Sequence, residues 1–213
     1  MLAKDVLYPS RSLEVSTRLR DMKIITFLTL ILATSISVAL DLTNSFWIWT
    51  NELTPSPDWP TGIAPVGARA FRRVAITPPD KTPLSASIII AVDDQYTLWV
   101  DGNEVGTGVD YQTAQGYCVA LSPYCYNVFA VEATNGGTVP NPAGVLAAIE
   151  ITYTDGSTQM VVSDSSWKAL NSPTIPTGFE EFNFDDSSWS AATVESPSGG
   201  SPWGPIDTPS SPC

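Results

Sequence analysis

QYTLWVDGNEVG, residues Gln95–Gly106, decides the fold. Tyr96, Leu98 and Val100 alternate with Thr97 and Trp99, the period-two pattern of a strand with one face in a core. Asp101-Gly102 follows, a dipeptide suited to the two-residue turn in which both positions take positive φ. Asn103–Gly106 then returns, so the stretch reads as a β-hairpin. Further along, Val145, Ala147, Ile149, Ile151 and Tyr153 share one face opposite Glu150 and Thr152. Asp155-Gly156 turns that strand back into Gln159–Val162, a second hairpin. Phe46–Trp49, Ala68–Ile76, Ala86–Val92 and Tyr126–Ala133 are further strand candidates, and Ala86–Val92 is apolar enough to be covered on both faces. Trp47 and Trp49, two residues apart, are expected on one face of their strand, with at least one of them exposed. No stretch after residue 40 sustains a 3.6-residue period. The chain therefore reads as all-β, a β-sandwich or jelly roll.

The N-terminus carries a different signal. Lys23 precedes the apolar run Ile24–Leu32, and Ser37-Val38-Ala39 follows with small residues where signal peptidase reads. Residues 1–39 are accordingly expected to be an extension plus a secretory signal, with Met22 as the natural start. Residues 40–204 are expected to form a single β-sandwich domain, and 205–213 a flexible Ser/Pro-rich tail. Five of the ten basic and three of the 22 acidic residues precede Leu40. The remainder carries five basic against 19 acidic residues, a formal charge of −14. Such a surface repels phosphate, which argues against nucleic acid and against anionic membranes once the signal is removed. A secreted chain favours oxidised cysteines, so Cys118 and Cys125, which flank Ser122-Pro123, read as a local bridge. Cys213 has no obvious partner in the sequence.

Three groups of motifs resemble the galactose-binding-domain-like jelly rolls. They are Phe71-Arg72-Arg73 followed by Asp93–Gly106; Asn127–Asn135 followed by Pro142–Gly156; and Ser163–Lys168, Phe184–Trp189 and Pro202-Trp203-Gly204. The resemblance spans Gly67–Gly204. It implies the modules that accompany α-L-rhamnosidases and related glycoside hydrolases, and that also stand alone in secreted fungal proteins. A sugar-binding or accessory role is what that resemblance implies, although fold alone does not settle function.

The chain has no histidine, which removes Ser-His-Asp and Cys-His catalysis and the commonest metal ligand. Two carboxylates suffice for a glycosidase, but the paired acids fall in predicted turns, and no enzyme activity is expected. Asp185-Asp186 reads as a turn capped by Asp and Ser side chains with Trp189 behind it. Trp167, Trp189 and Trp203 belong to framework motifs and are expected in the core. One of Arg72 and Arg73 is expected to pair with a buried acid. No resident cofactor is expected, although several acidic oxygens, including those of Asp93-Asp94, leave room for a structural Ca²⁺.

Sugar faces pack on aromatic rings while their hydroxyls bond polar side chains. Asp94, Trp99, Tyr111, Tyr117 and Asn135 are the expected carbohydrate contacts, with Tyr111 and Tyr117 placed in the loop after the first hairpin. The reading is a secreted, non-catalytic, lectin-like module that binds a glycan or polysaccharide. A secreted structural or protein-interaction protein of the cell surface is the second reading, and a glycoside hydrolase or its accessory domain is the third.

Overall fold

The computed structural model describes residues 40–210. The expected signal sequence and Cys213 lie outside the described residues. Twelve strands form two antiparallel sheets, and among the described residues there is no helix. The first sheet runs β12 (Thr193–Pro197), β1 (Phe46–Trp49), β8 (Gly144–Tyr153), β3 (Pro83–Asp93), β6 (Gln115–Ala120), with β9 (Thr158–Val162) also on β8. The second runs β11 (Ser190–Ala191), β10 (Lys168–Leu170), β2 (Gly67–Ile76), β7 (Tyr126–Asn135), β4 (Gln95–Val100), β5 (Asn103–Val109). The deciding hairpin is β4–β5, and its turn residues Asp101 and Gly102 have φ of 50° and 79°.

The alternation read from the sequence becomes the core between the sheets. Ile88, Ile90 and Val92 of β3 and Val145, Ala147 and Ile149 of β8 share one cluster with Phe71, Leu98, Phe129 and Val131 of the facing sheet. Each Val, Leu, Ile or Phe side chain here, taken fully from water, contributes about 1.5–3 kcal/mol. The second faces of both sheets are also covered. On the first, Ile89, Ala91, Leu146 and Ala148 lie under Trp47 and Trp203. On the second, Ala70 and Ala130 lie under Phe179 and Trp189. This double cover is why β3 reads as an unbroken apolar run.

Several expectations change here. Trp47 and Trp49 are both fully buried, and they occupy different clusters. The register between β1 and β12 shifts at Trp47/Ile48, which breaks the simple alternation. Tyr117 lies in a strand, β6, rather than in a loop. Cys125 is an exposed free thiol, so the Cys118–Cys125 bridge is absent. The reason is topological: Cys118 pairs with Ser87 in one sheet, while Cys125 accepts a backbone bond from Thr77 beside the other. Packed sheets stand about 10 Å apart, beyond the Cα separation a disulfide tolerates. Cys118 itself is not free. The start of the expected flexible tail is also held in place. Ile206 packs on the outer cluster, and Asp207 exchanges backbone bonds with Gln112 and Ala114.

Two buried arginines fasten long connections to the second sheet. Arg69 and Arg72 are 2 % and 1 % exposed. Arg69 Nε donates to Glu52 at 2.6 Å, and that bond above all holds the Glu52 carboxyl below its usual range. Arg72 Nε donates to Asp186 at 2.9 Å, and its other nitrogens reach the carbonyls of Phe179, Glu181 and Phe184. Asp186 is thus the acid that pairs with Arg72. Asp185 caps the turn by accepting from the Ser187 amide at 3.0 Å, and Trp189 is buried behind it.

Candidate functional site at the loop end of the sandwich

Antiparallel pairing brings four connections to one end of the sandwich. They are the 50–66 loop, the Asp93-Asp94 junction of β3 with β4, the 110–114 loop and the 136–143 loop. Asp94 and Asn135 are placed by the ends of neighbouring strands. The Asp94 amide donates to Thr134 O at 3.0 Å, and the Asp94 carbonyl accepts from Asp110 N at 3.1 Å. Asp94 Oδ2 in turn accepts from Gly136 N at 2.6 Å. A Cβ on Gly136 would lie 2.9 Å from that same oxygen, so a side chain there would displace the Asp94 carboxylate.

Asn135 is 1 % exposed and works as a latch. Its Nδ2 donates to the carbonyls of Ala64, Pro65 and Asn141, which ties the 50–66 loop to the 136–143 loop. Its Oδ1 is buried with no hydrogen-bond partner.

Beside this junction is a cleft of about 270 Å³, lined by Trp59, Asp93, Tyr111, Asn141, Pro142 and Trp203. Trp59 is 42 % exposed, the sole tryptophan among the described residues with a largely open ring. Tyr111 meets Trp47 edge to face at 6.4 Å between ring centres, and Trp203 stacks on Trp47 at 4.4 Å. Trp203 Nε1 donates to Asp93 Oδ2 at 2.8 Å. Burial pushes the Asp93 carboxyl up to about 7, helped by the negative charge of Asp94 and opposed by the Trp203 bond. Glu195 lies near enough to feel Asp93. Burial first, then that repulsion, push its carboxyl up to about 9, and neither of its oxygens has a partner. The site therefore offers open aromatic surface, carboxylate oxygens and an amide in one recess. That set matches a polyhydroxylated ligand with an apolar face.

The five residues expected from the sequence do not form one group. Asp94, Tyr111 and Asn135 gather at this end. Trp99 lies five residues along β4 from Asp94, about 17 Å at strand rise. It is half-buried, edge to face with Phe179 at 5.5 Å. Tyr117 lies between the sheet edges, its hydroxyl bonded to that of Tyr96 at 2.9 Å and to Thr107 O at 3.0 Å. The Asp101-Gly102 tip is at the far end. A Cβ on Gly102 would lie 2.7 Å from the Glu181 carboxylate, so that tip is covered. Trp59 and Trp203 were missed as cleft residues. Trp203 reads as framework and is framework, but its edge also faces the cleft. The only signal for Trp59 was its place in a proline-rich loop.

With two antiparallel sheets and this loop-end cleft, the chain is an all-β sandwich module of the jelly-roll kind. No protein-family model matches it. It is similar to a lectin from Pleurotus ostreatus whose structure is known in complex with GalNAc. The two share 34 % identity at a TM-score of 0.73, over 81 % of this chain and 49 % of the lectin. It is also 32 % identical over 175 residues to an α-L-rhamnosidase from Streptomyces avermitilis, covering 79 % of this chain and 16 % of the enzyme. The structure of that enzyme with L-rhamnose superposes at a TM-score of 0.60. A rhamnosidase from Dictyoglumus thermophilum, at 24 % identity and a TM-score of 0.60, shares the fold. The chain thus spans about half of the lectin and about a sixth of the Streptomyces enzyme.

Proposed function

We propose that this chain is a secreted, non-catalytic carbohydrate-binding module that takes a glycan at the loop-end cleft. The observation that carries the reading is the grouping of Trp59, Tyr111 and Asp93 around one recess. An apolar sugar face packs on the open Trp59 ring, and carboxylate and amide groups accept and donate to its hydroxyls. Likeness to a GalNAc-bound lectin supports a sugar as the ligand. The rhamnosidase likeness covers a small part of that enzyme, so a hydrolytic role gains little from it.

The partnerless Asn135 Oδ1 and the exposed Asp94 carboxylate support a Ca²⁺ at the same end. Asp94 and Asn135 are the residues that would hold it. Among the described residues no three acidic, Cys or His side chains cluster, so the remaining oxygens would come from backbone and ligand. When bound, the ion would supply positive charge to sugar hydroxyls in an otherwise acidic site.

The test is a glycan panel that includes N-acetylgalactosamine and L-rhamnose, run with Ca²⁺ and with EDTA. Selective binding that falls in Trp59→Ala supports the site. Binding unchanged by that substitution rejects it, and silence across the panel favours a protein partner.

A further inference from the structure

A second recess lies on the open face of the β2–β7–β4–β5 sheet. It is a groove of about 440 Å³ lined by Gln95, Thr97, Thr107, Val109, Glu132 and Thr134. Strand register makes these residues two adjoining rows. Thr97 pairs with both Thr107 and Glu132, and Gln95 with both Val109 and Thr134. They alternate with Tyr96, Leu98, Val131 and Ala133, which point into the core. The aromatic segment that covers Ala70, Ala130 and Trp99 on this sheet leaves these two rows open.

Two features make the groove more than a solvated sheet face. Glu132 is half-buried in it and has no cationic partner, since the ion pairs among the described residues are Arg69–Glu52, Arg72–Asp186 and Lys81–Asp155. The threonines beside it present hydroxyls next to that carboxylate, and Val109 adds an apolar surface 67 % exposed. Vicinal sugar hydroxyls donate to a carboxylate and exchange hydrogen bonds with threonine, while sugar C–H groups pack on valine methyls. The acidic surface of the chain disfavours an anionic chain in this place.

The position is equally specific. Asp93 lines the loop-end cleft beside the first sheet, Gln95 lines the groove on the outer face of the second, and Asp94 joins them over the end of the sandwich. We propose that the groove is a chain-extension subsite. A neutral oligosaccharide whose terminal unit occupies the cleft passes Asp94 and lays its following units across Thr97, Glu132 and Thr134. This rests on the carbohydrate reading above, and it makes the module a reader of chains rather than of single sugars.

The experiment is calorimetric titration of the intact chain with a monosaccharide, N-acetylgalactosamine or L-rhamnose, and with short neutral oligosaccharides ending in the same sugar. The oligosaccharide is expected to bind about tenfold more tightly, a gain of roughly 1.4 kcal/mol. Glu132→Ala is expected to abolish that gain and leave the monosaccharide Kd unchanged. Thr97→Val serves as a second, nearly isosteric variant, and an unaltered unfolding midpoint confirms that each variant is folded. Equal affinity for monosaccharide and oligosaccharide overturns the subsite. So does a folded variant that loses both ligands alike. Failure of the unsubstituted chain to bind any sugar overturns the underlying reading as well, and is distinguished by that.

Discussion

The indole of Trp203 and the carboxylate of Asp93 meet at 2.8 Å, Nε1 donating to Oδ2, across 110 residues of sequence. The bond ties the segment after β12 to the end of β3 and forms one wall of the cleft. Trp203→Phe keeps an aromatic ring against Trp47 but removes the donor. The predicted cost is about 1–3 kcal/mol, because a buried acceptor is left without its partner. The donor favours the ionised carboxyl, so the cost should shrink when urea unfolding is repeated in acid. A pH-independent loss would show that ring packing, not the hydrogen bond, is what the substitution removes.

Arg72 is predicted to be the most damaging loss of a buried charge in the second sheet. One guanidinium holds Asp186 and three carbonyls of the segment that covers this face. Arg72→Ala should cost about 3 kcal/mol or more, since it strands a partly buried carboxylate and several acceptors together. Arg72→Lys should recover little, because one ammonium cannot reproduce the planar fork. Equilibrium unfolding of both variants decides it, and full rescue by lysine would contradict the geometry.

Glu195 sets a pH dependence with a definite sign. Its folded-state carboxyl is pushed up to about 9 from an ordinary value of 4.5. The stabilising contribution of the protonated form is therefore complete below about 4.5. It declines as the pH rises, and it is gone above about 9. Thermal midpoints measured in EDTA from pH 5 to 9 should fall with rising pH, and Glu195→Gln should flatten that slope. An unchanged slope in the variant would assign the dependence to another group.

Cys125 is exposed and free, whereas the bridge expected from the sequence would have hidden it. A maleimide reagent should modify Cys125 in the native protein without prior reduction. The variant Cys125→Ser should leave the unfolding midpoint within about 0.5 kcal/mol of the parent, as for an ordinary surface change. Resistance of the native chain to labelling would contradict this placement.

Much of the fold was legible because it rests on local pattern. The alternation of Gln95–Val100 and of Val145–Tyr153, each followed by Asp-Gly, sets strand, face and turn within a dozen residues. The aromatic framework was legible for the same reason, and Trp167, Trp189 and Trp203 are buried as expected. What the sequence hid depends on pairing between distant segments. The isolated bulge beside Trp47 sends two neighbouring tryptophans to different clusters. Nothing local tells that Cys118 sits in one sheet while Cys125 lies beside the other. Of the five expected contacts, Asp94, Tyr111 and Asn135 come together because loop residues at strand ends share an end of the sandwich. Trp99 and Tyr117 fall elsewhere because position along a strand, rather than closeness in sequence to a hairpin, decides which end a side chain reaches.

The central claim, that the loop-end cleft takes a sugar, is tested most directly at Trp59. It is 42 % exposed and belongs to neither the core nor the outer clusters, so removing its ring should leave stability untouched. The measurement is the Kd of the intact chain and of Trp59→Ala for the tightest sugar found in a glycan panel, beside their unfolding midpoints. The account predicts equal midpoints and affinity weakened by about tenfold or more, roughly 1.4 kcal/mol. Equal midpoints with equal affinity would contradict it, and would move the sugar away from this cleft.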